Sequence, residues 1–405
     1  MFDTLLYLFL GVLIGFITGL IPGLHPNTIF VFIVSLPVMM TTSLTNTLVF
    51  IVSTSLSNTF TDFIPSIFFG APEEDSCLST LPGHRMFLEG RGYEALLLTV
   101  IGGLGVSILF IISLPITLIL IPFLYSHIHA HLHIILILIA VWMIMTEKGL
   151  SKFYAILVFL MSGLFGTIAL NTISPQTSIF PALTGMFGVS VLILSLKRGT
   201  KPPEQKITTP KRRHIKGIIT GWLAGFFVGM LPGIGSSQAG VIASQLCRAN
   251  KKDFLTALGG INTTNIFFTI MVFYILNKTR SGTVWAISQF MNTITFNQML
   301  ILVFSGLSAC FISALTTIYT GKLFTNIINK IRYNTITISV LIVLPLIVVF
   351  FTGFVGLLIM IIGMFIGVFT NLLGIKRTHL MGFLMLPTIF YYAGLSGTLT
   401  NLLGI

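Results

Sequence analysis

Apolar residues form long runs along the chain, and polar residues are concentrated in short stretches between them. Residues 134–145 and 340–351 contain no polar side chain at all. Runs of this length and composition predict membrane-spanning helices. The predicted segments lie near residues 45–70, 93–125, 131–147, 152–172, 179–197, 254–276, 297–319, 335–352, 354–373 and 379–396. The pattern predicts an all-α polytopic membrane protein.

The composition excludes most other classes of protein. Apolar residues make up 55% of the chain and charged residues 8%, with a mean hydropathy of +1.01. The net charge of +12 does not indicate a nucleic-acid partner, because no folded basic domain is present to carry one. The three cysteines (Cys77, Cys247 and Cys310) are scattered, which disfavours a disulfide framework or a zinc site.

One element occurs twice. Residues 11–24 and 221–234 are identical at seven of fourteen positions, including three glycines spaced by four and a final Pro-Gly pair. A marked element at the start of each half predicts an internal duplication. We expect a first repeat over residues 1–197, a basic linker over 198–216 and a second repeat over 217–405.

Each Pro-Gly pair interrupts an apolar helix. In the second copy the flanking stretches are about 14 residues long, or ~20 Å, which is shorter than a ~30 Å hydrocarbon core. Proline removes a backbone donor and glycine tolerates left-handed torsions, so the chain can reverse direction there. The sequence therefore predicts a re-entrant helical hairpin in each half.

The distribution of Lys and Arg predicts opposite orientations for the two halves. Basic residues flank the second hairpin on both sides, whereas residues 3–42 contain none. With five spans per half, 20 of the 22 Lys and Arg residues fall on one side and only Lys278 and Arg280 on the other. The positive-inside rule makes the first side cytoplasmic, with both termini outside. The linker either contacts anionic lipids or simply obeys this rule.

The hairpin tips are candidate substrate sites. A helix that starts inside the membrane presents unsatisfied N–H groups and a positive dipole end, which attract an anion. Two alternatives remain open: the glycines serve close helix packing, and His25 is only a polar cap. The substrate-binding candidates are Pro22, Gly23, His25, Asn27, Thr28, Pro232, Gly233, Ser236 and Ser237.

A second candidate site surrounds Asp62, the acidic residue placed inside a predicted span. An ionisable group there is costly and indicates function. Hard oxygen donors suit Na⁺, or Asp62 itself couples to H⁺; the alternative is a structural hydrogen-bonded cluster. The ion-coupling candidates are Asp62, Asn58, Thr59, Thr263 and Asn265.

Other chemistry is not indicated. Histidines at positions 127, 129, 131 and 133 are spaced by two, so they do not share one helical face, and we expect an interfacial loop rather than a metal site. No catalytic constellation is recognisable, and we expect neither an enzyme nor a cofactor other than a coupling ion, Na⁺ or H⁺.

Residues 71–103 carry a family resemblance. Pro82-Gly83, Met86, Gly90-Arg91, Glu94-Ala95-Leu96 and Gly102-Gly103, together with the two Pro-Gly elements, resemble the large membrane subunit of tripartite tricarboxylate transporters, the TctA family. The likeness extends through residues 180–188 and 379–388 and is closest to the shorter archaeal members. It implies secondary transport driven by a cation gradient, with a small membrane subunit and an external binding protein as partners.

The sequence thus favours a cation-coupled transporter of a small carboxylate-type organic anion, with its site between the two hairpin tips near the membrane midplane. Two alternatives stay open: a translocase for a lipid-linked phosphate, and a membrane subunit that does not transport. Membrane lipids are expected partners in every case.

Overall fold

The fold is all-helical, as predicted. A computed structural model describes residues 2–21, 26, 29–30, 42–70, 80–128, 131–172, 175–198, 204–212, 214–230, 236–247, 250–330 and 333–397, and these contain no strand. The predicted hairpin tips, at residues 22–25 and 231–235, lie outside these ranges. The helices are α1 Phe2–Leu20, α2 Leu44–Thr61, α3 Phe63–Phe68, α4 Thr80–Leu88, α5 Gly92–Ile128, α6 Leu132–Met145, α7 Ser151–Thr172, α8 Pro175–Leu183, a π-helix Thr184–Val189, α9 Ser190–Arg198, α10 Ile215–Met230, α11 Ser236–Leu246, α12 Lys251–Leu276, α13 Gly282–Ser288, α14 Phe296–Ile328, α15 Tyr333–Leu372, a 3-10 helix Arg377–Met381 and α16 Gly382–Tyr392.

Helices occupy all ten predicted segments. Within the described ranges, seven helical stretches, including α1 before the first predicted segment, are long and apolar enough to cross a membrane. Helix α1 is one of these, because its 19 residues extend about 28 Å. Helix α10 has only 16 residues, about 24 Å, and falls short of a full span. Large apolar side chains such as Phe350 and Phe354 are more than 80% exposed, as expected for a lipid-facing surface.

The predicted span at residues 45–70 is two helices rather than one. Helix α2 ends at Thr61, and α3 begins at Phe63. Pro65 explains the break, because a proline has no N–H and its ring clashes with the carbonyl four residues earlier, here that of Thr61. Asp62 lies at the junction.

The predicted boundary between the spans at 335–352 and 354–373 is confirmed. Helix α15 contains one residue with non-helical torsions, Gly353, at φ 68° and ψ −168°. Glycine reaches a positive φ without the steric cost that a Cβ imposes.

Each glycine ladder packs on a later helix of its own half, α1 on α2 and α10 on α12. A Cβ on Gly15 of α1 would lie 2.7 Å from Ser57 of α2, and a Cβ on Gly225 of α10 would lie 2.6 Å from Thr264 of α12. Gly15 and Gly225 are separated by 210 positions and their partners by 207, so the two contacts correspond. The packing function that the sequence left open for the ladder glycines is therefore realised in both halves.

Close backbone contacts also join the two halves. Gly166 of α7 lies against the carbonyl oxygen of Phe383 in α16, and Gly367 of α15 lies against that of Met186 in the π-helix. In the first contact the glycine comes from the first half; in the second it comes from the second half. A Cβ at either position would overlap a backbone oxygen, so glycine is required for both close approaches.

A central group of helices joins the halves. Helix α5 packs on α12 and α10, while α14 packs on α2. At the crossing of α5 and α12, Gly102 approaches the carbonyl oxygen of Thr256, and Gly259 approaches that of Thr99. The backbones are therefore in direct contact, which is typical of membrane helices joined through small residues.

The two ends of α5 contact residues that the distribution of Lys and Arg predicts on opposite sides of the membrane. Its first residue, Gly92, donates its backbone N–H to Gln205 of the linker at 3.1 Å. Near its other end, the Tyr125 ring lies 5.0 Å from the guanidinium of Arg280. Charge counting assigned the linker and Arg280 to opposite sides of the membrane, and they are separated by the length of this helix.

Candidate functional site

A layer of buried polar side chains lies where α2 and α12 meet. The Asn262 amide nitrogen donates to Asp62 Oδ2 at 3.2 Å, and the Thr59 and Thr263 hydroxyl oxygens are 3.3 Å apart. None of the four side chains is more than 6% exposed. The structure thus brings together three of the five predicted ion-coupling residues and adds Asn262.

The other two predicted ion-coupling residues extend this layer toward the hairpin arms. Asn58 donates its amide to the Thr18 hydroxyl at 3.1 Å, and Thr18 lies near the end of α1. Asn265 and Ser236, the first residue of α11, are 3.4 Å apart through Nδ2 and Oγ. Asn58 and Asn265 are 207 positions apart, the same separation as between Ser57 and Thr264. In each half, an asparagine therefore connects the polar layer to a helix that flanks a predicted hairpin tip.

One oxygen in this layer has no partner. The Asn262 Oδ1 atom is buried and makes no hydrogen bond within the described part of the chain. A buried amide oxygen that accepts no hydrogen bond costs free energy and calls for an explanation, such as a bound ion or water. It belongs to the same side chain that contacts Asp62, so this layer offers oxygen ligands next to a carboxylate.

Most predicted substrate-binding residues lie outside the described part of the chain, namely Pro22, Gly23, His25, Asn27, Thr28, Pro232 and Gly233. Of the remaining two, Ser236 is buried and contacts Asn265. Ser237 belongs to α11. Their assignment as substrate ligands stays a prediction.

The basic linker is folded onto the protein. Residues 204–212, which we call the strap, run beside the start of α5 and the end of α14. The Gln205 backbone N–H donates to Asn329 Oδ1 at 2.7 Å, and the Asn329 amide donates back to the Gln205 carbonyl at 3.0 Å. The strap therefore links the first half to the second at the end of α5 where Arg91 and Lys252 also lie.

A buried carboxylate beneath the strap pairs with two cations. Glu94, only 4% exposed, accepts from Lys252 Nζ at 2.6 Å and from Arg91 Nη2 at 2.8 Å. Arg91 and Glu94 belong to the motif that carries the family resemblance, while Lys252 comes from the second half. The motif thus contributes to the contact between halves.

Sequence reasoning missed two buried titratable groups, one in each half. Arg377 starts the 3-10 helix and is 5% exposed; His84 of α4 is 2% exposed. Burial lowers the pKa of His84 to about 4; the hydrogen bond with the Ile67 carbonyl opposes this shift, and the charge of Arg377 adds to it. In the sequence, Arg377 does not differ from the other cations that were counted for topology, since its burial depends on the packing of distant helices.

The remaining sequence candidates are distributed as follows. His127 lies in the last turn of α5 and His131 precedes α6, and within the described residues no group of three or more His, Cys, Asp or Glu side chains could hold a metal ion. Cys247 and Cys310 are buried and not disulfide-bonded.

The long apolar helices and the exposed apolar surface define a multi-pass membrane protein. The family model of the tripartite tricarboxylate transporter TctA family matches residues 5–382, and the chain belongs to this family. It is 31% identical over 401 residues to an uncharacterized protein of Methanocaldococcus jannaschii, and the alignment covers 96% of this chain and 99% of the relative. No solved structure matches the chain. Membership identifies the chain as a membrane component of a transporter rather than a member of an enzyme family.

Proposed function

We propose that the protein carries a small organic anion of the carboxylate type across the membrane, coupled to Na⁺ or H⁺. The observation that carries this proposal is the Asp62 layer. An ionisable side chain buried between α2 and α12 is expensive to keep unless it serves a function, and coupling ions are a common one. The unpartnered Asn262 oxygen in the same layer supports a cation ligand.

The position of the substrate follows from the hairpins. Ser236 and Thr18 flank the two tips in sequence, and each is joined to the Asp62 layer by an asparagine. A substrate held between the tips would therefore lie close to the coupling ion. We propose that the two halves are inverted repeats, because the matched glycine contacts support a duplication and the distribution of cations supports opposite orientations.

Partner subunits follow from the family rather than from the geometry. The family name describes a tripartite transporter, and we propose that this chain works with a small membrane subunit and an external binding protein. Membrane lipids cover its apolar surface.

Thermal stabilisation of the purified protein tests the transport proposal. A ligand that binds only the folded state stabilises it by about 2.7 kcal/mol at 100 times its dissociation constant. We expect di- or tricarboxylates such as succinate or citrate to raise the unfolding temperature, and to do so more strongly with Na⁺ or at a lower pH. Acetate, with one carboxylate, is the matched control. The absence of a shift with every carboxylate would overturn the proposal.

One observation favours the second candidate, translocation of a lipid-linked phosphate. An apolar groove of about 490 Å³ lies between residues 161–172 of α7 and 355–366 of α15. A lipid-linked substrate needs such a lateral apolar path for its chain. Stabilisation by a polyprenyl phosphate, together with no response to any carboxylate, would establish this alternative.

A further inference from the structure

Arg377 is a buried cation whose known partners are both neutral. Its Nε donates to Asn371 Oδ1 at 2.9 Å, and its Nη1 donates to the Phe187 carbonyl at 3.3 Å. Asn371 belongs to the last turn of α15 and Phe187 to the π-helix. The guanidinium therefore lies between an element of each half.

Within the part of the chain that the structure describes, no carboxylate balances this charge. Glu147, which the 3-10 helix contacts through His379, already lies 3.6 Å from Lys376 Nζ and 3.1 Å from His379 Nε2. Among the described residues, none places a carboxylate within ion-pair distance of Arg377. A buried charge is costly unless an opposite charge or several hydrogen bonds compensate it.

The guanidinium still has unused donors. It carries five N–H groups in a planar fork, and two of them are engaged. Burial lowers the pKa of Arg377 to about 10, so the side chain stays charged at neutral pH. A charged fork with remaining donors matches the two oxygens of a carboxylate.

Arg377 lies where structural elements of both halves of the protein meet. The 3-10 helix contacts α11, which follows the second hairpin tip in the chain. The Phe187 carbonyl belongs to a π-helix, a rare conformation that is frequently found at functional sites. The charge of Arg377 also reaches His84 of α4, which leads into the family motif. Elements from both halves thus converge on one cation.

We propose that Arg377 binds a carboxylate group of the transported anion. This inference rests on the proposed function and assigns the positive side chain that neutralises the substrate. A purely structural function is the alternative, since the two hydrogen bonds of Arg377 already connect α15 to the π-helix.

The experiment compares ligand binding with basal stability. The probe is whichever of succinate and citrate gives the larger wild-type shift, and its fully esterified form, dimethyl succinate or trimethyl citrate, serves as the uncharged analogue. Arg377→Gln should bind the acid about tenfold more weakly or worse, since a charge-assisted pair is lost. Arg377→Lys keeps the positive charge but lacks the planar fork of N–H donors. Its affinity for the acid should lie between those of the wild type and Arg377→Gln. Lys376→Gln, at the neighbouring paired cation, should bind like the wild type.

The acid-to-ester ratio separates the two functions of Arg377. A carboxylate ligand requires this ratio to fall in Arg377→Gln and to fall less in Arg377→Lys, whatever happens to the unfolding temperature without ligand. An unchanged ratio in Arg377→Lys and Arg377→Gln, or in Arg377→Lys alone where Arg377→Gln does not fold, would overturn this inference and leave the proposed function intact. A wild type that responds to no carboxylate would overturn both.

Discussion

Asp62 in the first half accepts a hydrogen bond from Asn262 in the second half, 200 positions away, with 3.2 Å between Oδ2 and Nδ2. Both side chains are at most 2% exposed. An ionisable group thus lies in the contact between α2 and α12, so a proton or cation bound at Asp62 would change the interaction of the two halves directly. Coupling through this contact needs no long-range pathway.

Replacing the Asp62 carboxylate with an amide should remove coupling without unfolding the protein. Asp62→Asn has the same size and still accepts a hydrogen bond from Asn262. We expect carboxylate-induced stabilisation to lose its dependence on Na⁺ and on pH. Thermal unfolding with and without Na⁺ measures this. Asp3→Asn, at an exposed acidic residue of α1, is the matched control and should retain the dependence. An Asp62→Asn protein that keeps the wild-type ion dependence would exclude Asp62 as the coupling group.

Adding one methyl group at a helix crossing should destabilise the protein. A Cβ on Gly102 would overlap the Thr256 carbonyl oxygen, whereas one on Gly397 would meet nothing within 4 Å. We expect Gly102→Ala to lower the free energy of unfolding by about 1–3 kcal/mol, the usual cost of overpacking, and Gly397→Ala to be close to neutral. Unfolding in detergent compares the two. Equal stability of both variants would mean that α5 and α12 are not in backbone contact.

The sequence predicted the helices well because their cause is local. Continuous apolar runs require helices in a membrane whatever their neighbours are. The polar layer was only partly predictable. Asp62 was distinctive as an acidic residue in an apolar run, but its partner Asn262 depends on how α2 and α12 cross. Arg377 was missed for the same reason: burial of a loop cation is decided by tertiary packing.

The two ion pairs of Glu94 beneath the strap should contribute more to stability than the exposed ion pairs around them. Glu94 is buried, Lys252 and Arg91 are partly exposed, and Glu94→Gln would remove the carboxylate that these two cations share. We expect a loss of about 1–3 kcal/mol in the free energy of unfolding. Glu89→Gln is the control, because Glu89 is 42% exposed and its contacts with Arg85 and Lys251 are 3.7 and 3.8 Å long. Exposed pairs of this kind contribute about 0–1 kcal/mol. A larger loss in Glu89→Gln than in Glu94→Gln would contradict this ranking.

His84 should make the protein sensitive to mild acid. Its pKa falls from 6.5 to about 4 on folding, chiefly through burial. Between these two pH values the unfolded chain binds a proton that the folded protein does not, so stability decreases as the pH is lowered. The shift corresponds to about 3 kcal/mol at 1.36 kcal/mol per pH unit.

The variant His84→Gln isolates this effect. Glutamine can still donate to the Ile67 carbonyl, which His84 Nδ1 contacts at 2.9 Å, but it does not titrate. The unfolding temperature of the variant should fall less than that of the wild type between pH 6.5 and pH 4. His131→Gln, at an exposed histidine before α6, should behave like the wild type. Identical pH profiles for His84→Gln and the wild type would show that His84 does not contribute.

Labelling of single cysteines tests the orientation of the two halves. Lys211 in the strap and Lys278 after α12 are both exposed, and the distribution of cations places them on opposite sides. Cys247 and Cys310 are buried, and Cys77→Ser removes the third native cysteine. In sealed vesicles, a maleimide that cannot cross the membrane should label Lys278→Cys from outside, and Lys211→Cys only after the vesicles are opened. Lys148→Cys, at an exposed residue between α6 and α7, should follow Lys211→Cys. Labelling of Lys211→Cys and Lys278→Cys from the same side would rule out inverted repeats, and with them a substrate site between hairpins that enter from opposite faces.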